Sequence, residues 1–305
     1  MRVIDDDLAL KPSGPIARLG ARRLSELDTS PAAPPFLGRL DPEGHTILFG
    51  TGGVGKGTLA ARWIVGLVAI DHRVLLVDYE NHPGEWARRV AGLGGTAASE
   101  SVMYVAPFSA EWQGKRGPIW TGARDLLDLA IEDGSTFLVI DSIVPACGGT
   151  DALKPEAASQ YTAALELLGR PVLSLAHTTK ADDLRMPFGS AFWHNLARVT
   201  WSMVSESDGA LLVNRKANNY PHLGRYIVTP TWYDGVLGEV SERPYSVVLA
   251  DRIAEVLADG PLTVAEIASE LSAESSEKVR PDSIRAALRR DRFRFTPEGE
   301  KWALS

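Results

Sequence analysis

Cysteine is almost absent from this sequence. Cys147 is the only cysteine among 305 residues, so the chain cannot form an internal disulfide and offers no paired cysteines for zinc. Long apolar runs are missing as well, and the first residues are acidic, whereas a signal peptide is basic and then apolar. These absences predict a cytoplasmic protein in a reducing compartment, with no membrane as a partner.

Positive charge is also in short supply. The chain has 32 lysines and arginines against 39 aspartates and glutamates, which gives a formal net charge of −7. A protein that is basic over its whole surface is excluded, so any contact with nucleic acid must come from local basic patches. With 45% hydrophobic and 23% charged residues, the composition is that of a globular protein with room for one large core and a smaller appendage.

A glycine-rich stretch is the most specific signal in the chain. It reads Gly-Thr-Gly-Gly-Val-Gly-Lys-Gly-Thr and lies between an apolar segment, Thr46 to Phe49, and a helical pattern that starts at Leu59. Strand, glycine loop and helix form a phosphate-binding loop, in which backbone N–H groups, the helix N-terminus and a lysine hold an anion. The stretch therefore predicts ATP binding. The predicted contact residues are Gly50, Gly52, Gly53, Val54, Gly55, Lys56, Gly57 and Thr58.

One position departs from the phosphate-loop pattern. The residue after the lysine is normally Ser or Thr, whose hydroxyl binds Mg²⁺, but here it is Gly57, with Thr58 one position later. The Gly-Lys-Gly-Thr ending resembles that of adenylate kinases. Mg²⁺ is predicted as the companion of ATP, with Thr58 and Asp141 as its protein ligands.

Acidic residues follow two predicted strands of a parallel sheet. The apolar run Val74 to Val77 leads to Asp78 and Glu80, and Phe137 to Ile140 leads to Asp141. Because ligands of open α/β sheets bind at the carboxyl ends of the strands, these acids are expected to face the phosphates. The second run has the Walker B form, in which the aspartate orients the Mg²⁺ shell.

The pattern of elements predicts an α/β fold in three segments. Residues 1–34 are an arm rich in proline, and residues 35–242 form an ATPase domain whose mostly parallel central sheet ends in antiparallel strands. Residues 243–305 carry three short helices and a hairpin, the pattern of a winged helix-turn-helix domain. Thr263 and Glu266 predict a capping box at the start of its second helix.

Several segments together resemble a known family. The stretches GTGGVGKGT, DYE, LVIDS, LAHTTK and VNRKANN are similar to those of RecA-fold ATPases, and most of all to RepA-like hexameric replicative helicases of plasmids and phages. The resemblance covers about residues 35 to 240. It implies a RecA-like P-loop core and a homo-oligomer, with a hexameric ring as the expected assembly.

The same resemblance implies catalytic roles. Glu80 would polarise the attacking water, His177 would sense the γ-phosphate, and Lys216 of a neighbouring subunit would complete the site, with Arg215 as its alternate. Together with Lys56 these are the predicted catalytic residues. Ordinary structural roles stay open: Glu80 or Asp78 as a helix cap, His177 as a buried histidine and Lys216 as a solvated lysine.

Two basic regions are predicted to bind DNA. In the core, Lys180, Arg185 and Trp193 place cations beside an aromatic ring, which suits single-stranded DNA. In the C-terminal segment, Arg285, Arg289 and Arg290 lie on the third helix, the element that enters duplex DNA in winged helices. The alternative for this segment is a protein-docking module with a solvated arginine face.

Three functions are compatible with these features. The leading one is an oligomeric, DNA-stimulated ATPase of helicase or replication type. The second is a helicase loader, strand-annealing factor or DNA-binding regulator that uses ATP as a switch without unwinding. The third, a small-molecule kinase, is suggested by the Gly-Lys-Gly-Thr ending alone, and the segment 106–119 lacks the arginine-rich lid it would need.

Overall fold

The structure is a computed structural model that describes residues 22–27, 30–80, 82–107, 117–178, 186–189, 191–206, 209–273 and 279–305, without the side chain of Val247. The chain divides into two compact units, Met1–Ala33 and Pro34–Ser305. In the first unit, Leu24–Glu26 forms one turn of 3-10 helix. Most of the predicted arm, residues 1–21, 28 and 29, lies outside the described residues.

Within the described residues of the second unit, nine strands form one sheet in the order β3-β2-β4-β5-β1-β6-β7-β8-β9. Neighbours from β3 to β6 run parallel, and β6 to β9 run antiparallel. The α/β class with a largely parallel central sheet is therefore confirmed. The strands are β1 His45–Gly50, β2 Val74–Asp78, β3 Val102–Val105, β4 Phe137–Asp141, β5 Val172–His177, β6 Val199–Glu206, β7 Gly209–Ala217, β8 Arg225–Tyr233 and β9 Val236–Pro244.

Helices cover both faces of this sheet. They are α1 Lys56–Val68, α2 Pro83–Glu100, α3 Ile119–Asp133, α4 Ile143–Ala146, α5 Pro155–Leu168 and α6 Phe192–Leu196. The central strands are mostly apolar because both of their faces are buried, and every residue of β1 is buried. Successive residues of β1 enter opposite layers: Leu48 packs in a cluster with Trp63 and Trp201, and Phe49 in a second cluster with Tyr161. Each helix layer thus has its own core.

Strand register brings the predicted site residues together at the carboxyl ends of the central strands. Asp78 at the end of β2 is paired with Asp141 at the end of β4, and Gly50 at the end of β1 is paired with His177 at the end of β5. All four strands are parallel, so their carboxyl ends lie together on the same side of the sheet. The phosphate loop begins there, directly after Gly50.

Residues from Tyr245 onward form a small module with its own apolar cluster, which includes Ile253, Ile267, Leu288 and Phe295. Its elements are α7 Tyr245–Leu257, β10 Leu262–Thr263, α8 Val264–Ala273, α9 Pro281–Arg290, β11 Phe295–Glu298 and β12 Lys301–Leu304. The three strands form an antiparallel sheet in the order β10-β12-β11. The strand β10 was not predicted, because two residues carry no alternation.

The capping box at the start of α8 is confirmed. The backbone N–H of Thr263 donates to Glu266 Oε2 at 2.7 Å, and the N–H of Glu266 donates to Thr263 Oγ1 at 3.3 Å. Asp251 of α7 accepts hydrogen bonds from Arg243 of β9 and from Arg294. Val248 also packs on Val213 and Ile227 of the large sheet. Apolar contact and ion pairs therefore join the module to the sheet.

No helix in the described ranges combines the length and the apolar character needed to cross a bilayer.

Close packing between β1 and β6 explains why position 50 is a glycine. A Cβ atom at this position would lie 2.4 Å from the carbonyl oxygen of Met203. We expect Gly50→Ala to lower the free energy of unfolding by about 1 to 3 kcal/mol, because the backbone of a packed sheet must shift to admit the methyl group. Urea denaturation measures this. Gly52→Ala is the matched control, since its Cβ would meet nothing within 4 Å; equal losses in the two variants would contradict the explanation.

Candidate functional site

The phosphate loop has the backbone that its glycines predict. Gly53 and Gly55 have φ angles of 77° and 96°, a left-handed conformation that strains any other residue, and Gly55 is the N-cap of α1. The side chain of Lys56 is buried, and its Nζ donates to the carbonyl oxygens of Gly50 at 3.1 Å and Thr51 at 2.9 Å. The lysine is thus held beside the loop, where a phosphate can take the place of the carbonyls.

A cleft of about 260 Å³ opens in front of this loop. The predicted site residues in its wall are Gly53, Gly55, Lys56, Gly57, Thr58, Glu80, Asp141 and His177. They come from the ends of four different strands or from the loops after them, so the site forms only when these strands pair in the sheet. Five further residues also line it: Leu175 of β5, and His82, Glu85, Trp86 and Arg89 of the segment after β2.

Glu80 is fixed by two hydrogen bonds. Its Oε1 accepts from Ser142 Oγ at 2.7 Å and contacts His177 Nε2 at 3.3 Å. The hydrogen bond from His177, with a further one from Ser142, lowers the pKa of Glu80 to about 2 although burial opposes the shift. Glu80 is therefore an ionised, oriented carboxylate at neutral pH.

Asp78 has a structural role instead. Its side chain is fully buried, Oδ1 accepts the backbone N–H of Glu80 at 2.8 Å, and Oδ2 accepts the N–H of His82 at 2.7 Å and the hydroxyl of Tyr104 at 2.9 Å. These bonds shape the turn that points Glu80 at the cleft. Of the two acids that the sequence offers at this strand end, Glu80 is the one that lines the cleft.

Asp141 lies in a very different electrostatic setting. Burial raises its pKa to about 7, and the nearby charges of Glu80 and Asp78 add to the shift. Burial lowers the pKa of Lys56, while Asp141 and Glu80 act in the opposite direction. The protein alone therefore holds a cluster of acids with a single buried lysine between them and the loop.

Lys216 lies toward the amino ends of the parallel strands, whereas its own phosphate loop lies at their carboxyl ends. Its partner in the register is Thr200, which pairs in turn with Ile47 near the start of β1. Its Nζ donates to the carbonyl oxygens of His194 at 3.0 Å and Asn195 at 2.7 Å. Lys216 therefore does not contribute to the cleft of its own chain.

Trp193 requires a correction. Only 2% of this residue is exposed, its indole N–H donates to the carbonyl oxygen of Ala152 at 3.0 Å, and its ring packs edge-on against Tyr161. It is a core residue and cannot stack on a base, because both faces of the ring are covered.

Lys180 and Arg185, the other predicted DNA contacts of the core, lie outside the described residues. On α9, Arg285, Arg289 and Arg290 are exposed, and Arg285 pairs with Asp282 at 2.8 Å.

The donor set fits a triphosphate better than it fits a metal ion. The loop offers backbone N–H groups and Lys56 to phosphate, but the position of the usual metal-binding hydroxyl is Gly57. Within the described part of the chain, no group of three acidic, histidine or cysteine side chains could hold a metal by itself. Mg²⁺ at nucleotide sites depends on the phosphates and one or two carboxylates, so Asp141 and the buried Thr58 stay as predicted ligands.

Comparison with known proteins agrees with this geometry. A family model described as an AAA domain matches residues 18–183, more than half of the chain. The chain belongs to this AAA-domain family. The family supports ATP binding, usually with Mg²⁺, and ATP hydrolysis on a P-loop core of RecA-like type. No curated protein matches the sequence significantly.

Among solved structures, the flagellar accessory protein FlaH from Methanocaldococcus jannaschii is similar to this AAA-domain protein. The two are 11% identical, with a TM-score of 0.48, and the similarity covers 66% of this chain and 90% of FlaH.

The raised pKa of Asp141 predicts a pH-dependent effect on stability. Since the folded-state pKa of about 7 exceeds the ordinary 3.8, burial of this group destabilises the nucleotide-free protein increasingly as pH rises from about 4 to about 7. Asp141→Asn removes the charge, so its stability relative to the wild type should rise by roughly 2 kcal/mol or more between pH 5 and pH 7.5. Urea denaturation at the two pH values measures it.

The exposed Asp125 on α3 provides the matched control. Asp125→Asn also removes one carboxylate, but should shift stability by nearly the same amount at both pH values. An Asp141→Asn effect that is independent of pH would show that Asp141 is not in the acidic, desolvated setting described above.

Proposed function

We propose that this protein is an oligomeric, ATP-hydrolysing, DNA-binding motor of helicase or replication type, which works as a ring, expected to be hexameric. One observation carries the proposal. The cleft holds a fixed, ionised Glu80 beside the phosphate loop. Lys216 is the cation that the resemblance assigns to catalysis, but in its own chain it lies at the opposite end of the strands. A site completed by the Lys216 of a neighbouring subunit accounts for both placements.

The side chains divide the chemistry between them. The glycine loop and Lys56 bind the phosphates, and the Glu80 carboxylate orients a water for attack on the γ-phosphate. The hydrogen bond from Ser142 fixes the direction of this carboxylate, so its contribution is the position of the water. Mg²⁺, when bound with the nucleotide, neutralises charge on the phosphate oxygens.

His177 couples this site to the loop that follows β5. Its Nε2 contacts Glu80 Oε1 at 3.3 Å, and the backbone N–H of Phe188 donates to its carbonyl oxygen at 2.8 Å. A γ-phosphate that draws the imidazole away from Glu80 would also pull on this backbone. We therefore assign His177 to sensing the γ-phosphate, with Lys180 and Arg185, which follow it in sequence, as contacts to single-stranded DNA.

The C-terminal module supports a second contact with DNA. Its order of helix, strand, helix, helix and two antiparallel strands supports our proposal of a winged helix, in which α9 would be the helix that enters a major groove. Arg285, Arg289 and Arg290 are exposed on that helix. Phosphate contacts of this kind give an affinity that falls with salt and needs no base preference.

An ATP-switched loader or DNA-binding regulator is the alternative, and the irregular Gly57 favours it because motors with a tight metal site normally keep the hydroxyl. Strand displacement on a forked duplex separates the two functions. ATP-dependent displacement supports the motor, whereas ATP-dependent DNA binding without displacement supports the switch.

The role of Glu80 is tested by an isosteric change. Glu80→Gln should bind ATP as the wild type does but lose at least about 100-fold in ATP turnover, because the amide cannot orient the water as a carboxylate can. Single-turnover hydrolysis and a direct binding assay measure the two quantities. Lys56→Ala is the companion variant, and it should lose ATP binding itself. Turnover that survives in Glu80→Gln would mean that another group orients the water.

Subunit sharing predicts complementation. Lys216→Ala and Glu80→Gln should each be inactive alone, but a mixture should recover ATP hydrolysis, because intact Lys216 from one chain then meets intact Glu80 of the other. At equal amounts about a quarter of random interfaces are intact, so activity should approach about a quarter of the wild-type rate. ATP binding by Lys216→Ala alone checks that it is folded. If folded chains are mixed without recovery, Lys216 does not act between subunits.

A further inference from the structure

Gly57 has a neighbour that accounts for its departure from the phosphate-loop pattern. A Cβ atom built on Gly57 would lie 2.8 Å from Nη1 and 3.5 Å from Cζ of Arg89. In phosphate loops generally, the side chain at this position carries the hydroxyl that binds Mg²⁺. The Arg89 guanidinium therefore occupies the space in which that hydroxyl would stand.

Arg89 is built into the cleft. It lies on α2, its side chain is 25% exposed, and it lines the same cleft as Lys56, Glu80 and Asp141. The guanidinium lies near the face of Trp86, with Cζ 5.8 Å from the ring centroid. The ring of Trp86 is itself buried and reaches within 4.0 Å of the same Gly57 Cβ position. The arginine is therefore held on one side by an aromatic wall and on the other by the glycine.

Its hydrogen-bonding capacity is only partly used by the chain. Arg89 Nη2 lies 3.4 Å from Glu85 Oε2, a long ion pair to an exposed carboxylate. Among the described residues, Arg89 Nε and the neighbouring Trp86 Nε1 are buried N–H groups without a hydrogen-bond partner. Buried donors are normally satisfied, so the chain leaves donor capacity on Arg89 that a ligand with acceptor oxygens in the cleft can use once the side chain turns toward it.

We propose that Arg89 is a phosphate-binding residue of the same chain, that it supplies the positive charge where other phosphate loops bind Mg²⁺ through a hydroxyl, and that Gly57 is the substitution that admits it. The proposal rests on the nucleotide-binding function given above. Its physical basis is that a planar guanidinium donates two parallel hydrogen bonds to phosphate and cannot lose its proton. The cleft then has a second cation, in addition to Lys56, for the charge of the triphosphate.

A consequence is reduced dependence on metal. Because Arg89 neutralises phosphate charge without Mg²⁺, wild-type protein should bind ATP in EDTA with a dissociation constant within about tenfold of that in MgCl₂. Arg89→Gln should weaken binding in EDTA by about 10- to 100-fold, the range expected for a lost hydrogen bond to a charged group. Arg89→Lys should recover part of the loss. Isothermal titration calorimetry with ATP measures each value, and thermal unfolding confirms that the variants fold.

Arg88 is the matched control, because it lies one residue away on the same helix, also pairs with Glu85, and points to solvent with 68% of its side chain exposed. Arg88→Gln should bind ATP within about twofold of the wild type. The reciprocal variant is Gly57→Ser, which restores the usual hydroxyl and displaces the flexible guanidinium. It should bind ATP in MgCl₂ but lose roughly tenfold or more in EDTA.

The outcomes are distinct. Equal or tighter binding of ATP in EDTA by Arg89→Gln, or a Gly57→Ser variant that binds as the wild type does in EDTA, would overturn the assignment of Arg89. A wild-type protein that binds ATP only with Mg²⁺ would overturn it as well. A wild-type protein that binds no ATP under either condition would remove the proposed function itself.

Discussion

Parallel pairing of the central strands is the constraint on which the site depends. The strands β2, β4, β5 and β1 lie side by side and run in the same direction, so the carboxyl ends of four segments that are far apart in sequence lie together. Register then places Asp78 beside Asp141 and Gly50 beside His177. A slip of one residue in any of these strands would turn its last side chain to the other face and dismantle the cleft.

Charge is the second theme of the site, and it follows from that geometry. Strands that end together bring Asp78, Glu80 and Asp141 close to one another in a desolvated place, which raises the pKa of Asp141, whereas hydrogen bonds from His177 and Ser142 lower the pKa of Glu80. A triphosphate adds more negative charge to the same place. Stable binding therefore requires cations, and the chain itself provides Lys56 from the loop and Arg89 from α2.

Much of the fold was accessible from the pattern of residues alone. Apolar runs ending in acids predicted β2 and β4, and the glycine loop predicted the junction between β1 and α1, because buried parallel strands and phosphate loops impose strong local requirements. The predictions failed where the signal was weak. The strand β10 is only two residues long, too short for a periodic pattern to show. Trp193 resembled a base-stacking residue beside cations, but burial against Tyr161 makes it part of the core.

What the sequence determined by itself is the chemistry of the phosphate loop and the identity of the acids, since both depend on residue types at short, fixed spacings. Only the tertiary structure decided which of Asp78 and Glu80 faces the cleft, where Lys216 lies relative to its own loop, and that Arg89 stands over Gly57. These three facts depend on contacts between segments distant along the chain, and no local pattern encodes such contacts. The glycine that breaks the motif was visible in the sequence, but its reason is a side chain folded against it from another helix.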